Sequence, residues 1–279
     1  MTVTTLFALY RAPLSVWVED PLSHSVLTAL WQDPRINVVI TQGKPGVRHL
    51  VRSNPDPARY CVYGLVDRDF DDDNEAQWPS PVCQILHLPV HELENLLLDF
   101  EVLASLAKGS TAAAIRDEAH ARAVKLHWWM VHKAVLREMQ QELGAGFPVD
   151  ASTDSSLLSA ADVAQRLRSS PYWTSHEAAL TLWSAPTKIE DRIQVWGQQL
   201  QADLVGDGWL RTFSGKELFR HLRSHVRGLD EAPIRPPNPS SAERDLDLGK
   251  RIARRMHEMK RVPPKLTELR QILRTKAGL

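Results

Sequence analysis

Residues 60–69 read YCVYGLVDRD, a nearly uninterrupted apolar run that ends in two aspartates separated by one arginine. An apolar run of this length, without the alternation of a half-exposed strand, is typical of a central strand buried on both faces of a parallel sheet. We therefore predict a strand over 60–66, with Asp67 and Asp69 at its carboxyl end.

Short β-rich runs alternate with helical stretches around this strand, which is the pattern of a parallel sheet covered by helices. The predicted strands cover 14–18, 36–41, 60–66 and 82–88. A helix is expected from Pro21 to about Trp31, because proline suits the first helical turn. Residues 43–46 (GKPG) predict a turn before a short helix that ends near Val51, and a helical pattern begins after Pro89.

Beyond about residue 111 the strand signal disappears and helical patterns follow one another. They cover 112–143, 157–168, 175–204, 215–227 and two basic stretches on either side of residues 263–264, after a segment at 232–241 with four prolines. The predicted fold class is therefore α/β, with an N-terminal, mainly parallel sheet and an all-helical C-terminal half. The predicted domains are 1–106, 107–231 and 232–279, the last a proline-rich linker and basic helical tail.

The charges of the 279-residue chain are unevenly distributed. Its 34 Lys plus Arg balance 34 Asp plus Glu, which by itself argues against a nucleic-acid partner. However, residues 1–105 hold 7 basic and 14 acidic side chains, whereas residues 211–279 hold 17 basic and 8 acidic ones. Such asymmetry is typical of a chain that binds a polyanion or an acidic surface, although a solvated basic helix face would look the same.

Cysteine content and hydropathy suggest the compartment. Cys61 and Cys83 are too few for a disulfide framework and fit a reducing environment. No apolar run reaches the roughly 20 residues that span a bilayer, and the N-terminus lacks the features of a signal peptide. We therefore expect a cytoplasmic protein with no membrane partner.

Acidic side chains follow three of the predicted strands. Glu19 follows the first strand, Asp67 and Asp69 the third, and Glu92 and Glu94 the fourth. Because the carboxyl ends of parallel strands share the edge where ligands bind, we expect these carboxylates to converge. Asp67 and Asp69 are two positions apart, so an extended chain would direct both to the same side. Crowded carboxylates need a cation to offset their repulsion, and all-oxygen sites favour Mg²⁺ or Mn²⁺.

Each acid also has a structural explanation. A lone acid after a strand is commonly a helix cap or a loop residue, and Glu92 and Glu94 lie where a helix N-terminus would favour negative charge. Residues 71–73, all aspartate, are expected to form a solvated acidic loop. The buried strand in front of Asp67 and Asp69 favours function for this pair.

Two other segments resemble known site motifs but lack a defining feature of each. His87 and His91 do not form a zincin signature, which requires glutamate directly after the first histidine. Lys44 lies in a glycine-containing segment that lacks the spacing of a nucleotide-binding loop. We therefore predict neither a zinc site nor a nucleotide site from these residues.

Three segments together resemble a TOPRIM domain: VWVE at 16–19, GLVDRDF at 64–70 and HELENLLLD at 91–99. More narrowly, they resemble the OLD-related TOPRIM nucleases, including the nuclease subunit of the PARIS anti-phage system, which partners an ABC-type ATPase. In that group a glutamate ends the first strand, Asp-x-Asp ends the third, and Glu-Asn-(Tyr/Leu)-Leu opens a following helix. A Gly-Lys pair in the helical half is also typical, and Gly215-Lys216 is similar to it.

The resemblance implies a Rossmann-like TOPRIM domain and a metal-dependent endonuclease. It implies catalytic roles for Glu19, Asp67, Asp69 and Lys216, and a Mg²⁺ or Mn²⁺ site formed by Glu19, Asp67, Asp69, Glu92 and Glu94. The implied protein is the toxic effector of an anti-phage defence system, controlled by an ABC-type ATPase. RNA such as tRNA is the favoured substrate and DNA the competing one. Without the resemblance, Lys216 would be explained equally well as a cation in the first turn of a helix.

The first motif departs from the family pattern. The family commonly reads Val-Glu-Gly-x-x-Asp, whereas Asp20 replaces the glycine here and Ser23 replaces the later aspartate. Asp20 is a candidate substitute ligand. Two alternatives stay open: a degenerate TOPRIM interaction module that binds the ATPase or nucleic acid without cleavage, and a TOPRIM enzyme of RNA maturation.

The basic C-terminal helices are candidates for substrate binding. The residues expected to contact phosphates, with salt-dependent and largely sequence-independent affinity, are Arg220, Arg223, Arg251, Arg254 and Arg255. Charge alone does not separate nucleic-acid binding from docking onto the ATPase, so both stay open. A homodimer also stays open.

Overall fold

The computed structural model describes residues 13–54, 60–70, 84–143, 153, 155–169, 188–231 and 239–279. Its strands are β1 (Leu14–Val18), β2 (Ile36–Ile40), β3 (Cys61–Val66) and β4 (Ile85–His87). They form one four-stranded sheet in the order β2-β1-β3-β4, and all neighbouring pairs are parallel. The predicted parallel sheet is confirmed.

The helices follow the predicted order closely. In chain order they are α1 (Pro21–Trp31), α2 (Gly43–Arg52), a 3₁₀ helix (Leu93–Leu97), α3 (Phe100–Leu106), α4 (Ala112–Leu143), α5 (Ala160–Arg168), α6 (Lys188–Val205), α7 (Trp209–Thr212), α8 (Gly215–His225), α9 (Ser241–Glu258) and α10 (Pro264–Lys276). Within the described residues the chain after α3 is helical and holds no strand, so the α/β fold class with a helical C-terminal half is confirmed. Residues 71–83, with Cys83 and the three consecutive aspartates, and 170–187 lie outside the described residues.

Two local predictions were wrong. Residues 43–46 do not form a separate turn, because they are the first turn of α2; Gly43 has φ +70°, a value that glycine adopts without strain. The helical pattern after Pro89 is not one helix either. It divides at Leu98, and Asp99 caps α3 by accepting hydrogen bonds from two backbone amides.

The two central strands are buried as their composition requires. All five residues of β1 are buried, as are the last five of β3. In the register of the sheet, Val18 lies opposite Ile40 on one side and Leu65 on the other. The residues that follow β1 and β3 therefore leave the sheet side by side at its carboxyl edge.

Contacts divide the chain into two compact units. One unit contains the described residues up to Arg116 together with Gly215–Leu279, and the other is Asp117–Ser214. The C-terminal helices thus belong with the sheet, although they are separated from it in sequence. The domain boundaries predicted at 106 and 231 stay a prediction.

Several contacts connect the C-terminal helices to the N-terminal part of the same unit. Helix α9 packs on α1, and Gly249 lies so close to Leu22 that a Cβ atom would collide with its side chain. The indole N–H of Trp31 donates to the carbonyl of Leu266, at 3.1 Å. Asp33, almost fully buried, accepts hydrogen bonds from the guanidinium groups of Arg35 and Arg270. Apart from the local pair of Arg35 and Asp33, these contacts join positions more than 200 residues apart.

The second unit is formed by helices alone within the described residues. Helices α5 and α6 pack together, and Trp209 is fully buried. Glu138 binds Arg192 and accepts a hydrogen bond from the indole of Trp196, at 3.0 Å. In the part of the chain that the structure describes, the helices are not long and apolar enough to cross a membrane.

Candidate metal centre

The carboxyl edge of the sheet brings Glu19 and Asp67 into direct contact. The Oε1 atom of Glu19 accepts a hydrogen bond from the backbone N–H of Asp67, at 2.8 Å. Asp67 Oδ1 in turn accepts from the N–H of Leu93, at 3.0 Å. The adjacent central strands explain the first contact, and the 3₁₀ helix after β4 provides the second. The predicted convergence of these two acids is therefore present in the structure.

Asp69 is positioned by a turn rather than by an extended strand. Its φ of 52° is left-handed, a conformation that aspartate tolerates better than most residues. The expectation that an extended chain directs Asp67 and Asp69 to the same side is thus wrong in detail, since the strand ends at Val66. Asp69 Oδ2 lies 2.6 Å from the ammonium group of Lys44, which the sequence interpretation had left without a role.

Glu92 and Glu94 are buried beside the N-terminus of α8. Their exposed fractions are 6% and 3%, which is unusual for carboxylates. Glu92 Oε2 accepts a hydrogen bond from the backbone N–H of Lys216, at 2.7 Å. Gly215 permits this approach, because a Cβ atom there would lie 2.5 Å from both the backbone nitrogen and the side-chain oxygen of Asn95.

Burial, together with the charges of neighbouring acids, raises the pKa of three carboxyl groups in this site. Burial raises the pKa of Asp67 well above its usual range, and the charges of Glu94 and Glu92 raise it further. Burial also raises the pKa of Glu19, while the Asp67 N–H and Lys44 oppose this. For Glu94, burial outweighs the attraction of Lys216 and raises the pKa to about 8.

Lys216 is the cationic counterpart of these carboxylates. Burial tends to lower the pKa of its ammonium group, but the charges of Glu94 and Glu92 outweigh burial and raise the pKa above its ordinary value. Lys216 therefore stays charged at any physiological pH. With Lys44 it gives this acidic group two fixed positive charges.

One subset has the composition of a metal site. A carboxylate oxygen from Asp69, a ring nitrogen from His91 and a carboxylate oxygen from Glu92 all lie within 4.8 Å of one another. This group could hold a metal ion. The sequence interpretation did not consider His91 as a candidate ligand, although its position directly before Glu92 was a usable signal.

Most of the arginines proposed to bind nucleic acid have partners within the chain. Arg220 pairs with Asp245, and Arg223 is largely buried and donates to the backbone and hydroxyl oxygens of Ser241. The other two engaged side chains are Arg251, which donates to the carbonyls of Gly228 and Leu229, and Arg255, which binds Ser105 and Glu258. Arg254 is exposed to solvent.

Comparison with known proteins gave no match to a family model, a curated protein or a solved structure. The site is therefore interpreted from its own residues and geometry. Acidic side chains gathered at the edge of a parallel sheet, with two lysines beside them, form an arrangement that could hold a cation.

Proposed function

We propose that the chain is a metal-dependent TOPRIM endonuclease that cleaves phosphodiester bonds in nucleic acid. The observation that carries this proposal is the contact between Glu19 and Asp67 at the carboxyl edge of the sheet, with Asp69, Glu92 and Glu94 in the same electrostatic group. Side chains that perturb one another in a shared site are typical of functional centres.

The balance of charge supports a bound divalent cation. When all five carboxylates are ionised, Lys44 and Lys216 offset two of the five negative charges and leave an excess of three. A phosphodiester substrate would add another negative charge. Mg²⁺ or Mn²⁺ would offset this excess, because both bind carboxylate oxygens readily.

The residues can be assigned roles in hydrolysis. A divalent ion at such a site lowers the pKa of bound water and offsets charge on the phosphate. Asp67, Asp69, Glu92 and Glu94 would hold the ion, and Glu19 would complete the site or accept a proton from the attacking water. Lys216 would contribute positive charge near the phosphate, where charge develops in the transition state.

The proposed substrate and the proposed partner rest on the TOPRIM resemblance and on the charge of the C-terminal residues. We favour RNA such as tRNA over DNA, and the role of a toxic effector in an anti-phage system that an ABC-type ATPase controls. The basic excess of residues 211–279 supports a polyanionic substrate, and exposed Arg254 is the best placed of the five candidate arginines to contact phosphate.

Two observations favour the alternative of a non-catalytic interaction module. Asp20, the candidate substitute ligand in the altered first motif, caps α1 by accepting a hydrogen bond from the N–H of Ser23, at 2.8 Å. Asp69 is already paired with Lys44. Both carboxylates thus have structural partners that a metal ion would have to share.

Cleavage assays with purified protein separate the two functions. We expect tRNA or plasmid DNA to be cleaved in the presence of Mg²⁺ or Mn²⁺ and not in EDTA. Glu19→Gln and Asp67→Asn should each reduce the rate at least about 100-fold, since loss of a group that merely supports a ligand costs about 10- to 100-fold. Glu231→Gln, which alters an exposed acid paired with Lys108, is the matched control and should cleave normally.

The contrary results are equally clear. Absence of metal-dependent cleavage, with the ATPase partner supplied, would exclude the nuclease and leave the interaction module. Equal cleavage by wild type, Glu19→Gln and Asp67→Asn would show that a contaminant is responsible.

A further inference from the structure

His91 is a fully buried imidazole within the candidate metal centre. It lies between β4 and the 3₁₀ helix, directly before Glu92, and its exposed fraction is 0%. The ring of Phe70 packs edge-on against it, with 4.8 Å between ring centroids. Its orientation is therefore set by packing as well as by hydrogen bonding.

The hydrogen bond of His91 determines which nitrogen carries its proton. Nδ1 lies 2.9 Å from the backbone carbonyl oxygen of Asp69. A carbonyl oxygen can only accept, so Nδ1 must donate, and the neutral ring then presents Nε2 with its lone pair. Histidine ligands of metals are commonly fixed by such a bond from the other ring nitrogen to a carbonyl.

Asp69 and Glu92 can act as ligands while keeping the bonds already described. Asp69 uses Oδ2 for Lys44, and Glu92 uses Oε2 for the N–H of Lys216. An ionised carboxylate has two oxygens and about four lone-pair sites, so each group can still bind a cation. Both groups lie within 4.8 Å of a ring nitrogen of His91.

We propose that His91 is a metal ligand together with Asp69 and Glu92, and that its nitrogen makes the site bind Mn²⁺ in preference to Mg²⁺. This inference rests on the metal site of the proposed function and specifies its ion. Mg²⁺ favours oxygen ligands in a strict octahedral arrangement, whereas first-row transition ions accept imidazole. Mn²⁺ binds most weakly among the first-row divalent ions of that series. A preference for Mn²⁺ over Mg²⁺ is therefore the most demanding test of the effect of the imidazole ligand.

The first test compares affinities by calorimetry on the full-length protein. Wild type should bind Mn²⁺ at least about tenfold more tightly than Mg²⁺, and His91→Gln should lose about 10- to 100-fold in Mn²⁺ affinity with a smaller effect on Mg²⁺. His127→Gln is the control, because His127 is also buried and bonded to a backbone carbonyl, that of Gly197, at 3.1 Å. Equal losses for both ions in His91→Gln would overturn the proposal.

The second test needs no variant and therefore does not depend on the fold of His91→Gln. Pulsed electron paramagnetic resonance of Mn²⁺ bound to the wild-type chain, labelled with ¹⁵N-histidine, should show coupling of the ion to an imidazole nitrogen. Tightly bound Mn²⁺ without this coupling would overturn the proposal and leave the nuclease hypothesis intact. Coupled Mn²⁺ in a protein that cleaves no substrate would support the ligand assignment and argue against the nuclease.

Discussion

Asp69 and His91 are joined by two hydrogen bonds, each of 2.9 Å. The backbone N–H of Asp69 donates to the carbonyl of His91, and Nδ1 of His91 bonds to the carbonyl of Asp69. The turn after β3 is thereby tied to the segment after β4, although 22 positions separate the two residues. Because these bonds do not depend on an ion, the two proposed ligands would already be positioned before a metal binds, which would reduce the ordering cost of binding.

The raised pKa of Glu94 predicts that the metal-free protein loses stability as the pH rises from 7 to 9. The folded state keeps the Glu94 proton up to a pKa of about 8, whereas the unfolded chain releases it near 4.5. The stabilising contribution is thus lost as the pH rises through the folded pKa. For one such group the loss over this window is about 1.4 kcal/mol, or about 3–6 °C in Tm.

Thermal unfolding in EDTA at pH 7, 8 and 9 measures this effect. Glu94→Gln removes the ionisable group at nearly constant shape and should reduce the pH dependence. If the variant and the wild type lost the same stability over this range, Glu94 would not be responsible.

Gly215→Ala should disrupt the candidate site through packing. The new Cβ would lie 2.5 Å from two atoms of Asn95, so α8 would have to shift and carry Lys216 away from Glu92. We expect a loss of about 1–3 kcal/mol in stability, typical of overpacking, together with weaker metal binding. Gly206→Ala is the matched control, since no atom lies within 4 Å of a Cβ there. Unchanged stability in Gly215→Ala would contradict the close contact.

Lys44→Gln should strengthen cation binding and lower the thermal stability of the metal-free protein. Removing the ammonium group takes away the positive charge that pairs with Asp69 and lowers the pKa of Glu19, and so makes the site more negative. Since ion pairs near the surface contribute up to about 1 kcal/mol, we expect about fivefold tighter Mn²⁺ binding and a slightly lower Tm in EDTA. Lys108→Gln, which removes an exposed pair with Glu231, should change neither. Weaker Mn²⁺ binding in Lys44→Gln would show that the lysine positions the ligand instead of competing with the ion.

Arg223 and Arg254 are expected to respond differently to removal of charge. Arg223→Gln should cost about 1–3 kcal/mol of stability, because its buried guanidinium binds Ser241 and Asp245. Arg254→Gln should leave stability unchanged. It should reduce the slope of the logarithm of the tRNA binding constant against the logarithm of salt concentration by about one. Fluorescence anisotropy at several salt concentrations measures the second effect. An unchanged slope would show that Arg254 does not contact the phosphates of the nucleic acid.

The sheet could be predicted from sequence because its signals are local. The apolar run that forms β3 stops where the strand stops, and Pro21 begins α1 as its conformational preference requires. Parallel topology then placed Glu19 and Asp67 at one edge without further information. The long helix Ala112–Leu143 was equally accessible, since no glycine or proline interrupts these residues.

The rest of the site depends on contacts between distant segments, which sequence spacing does not encode. Lys44 reaches Asp69 because α2 begins at the same sheet edge, and the expected turn at 43–46 concealed this. The tautomer of His91 follows from its hydrogen bond to the carbonyl of Asp69, a contact between segments 22 positions apart. The packing of Gly215 against Asn95 likewise becomes visible only in three dimensions.

Lys216 and Glu92, which share a hydrogen bond, lie 124 positions apart in the sequence, so the ribosome makes them at different times. A ribosome that adds about 5–20 residues per second needs roughly 6–25 s to travel this distance. During that interval the growing chain carries its carboxylates without the buried lysine that belongs among them. Helix α9, which packs on α1, is synthesised later still. Assembly of the site is thereby delayed until the segments around Lys216 and α9 are made, and a nascent fragment that ends before Gly215 would have the acids but not Lys216.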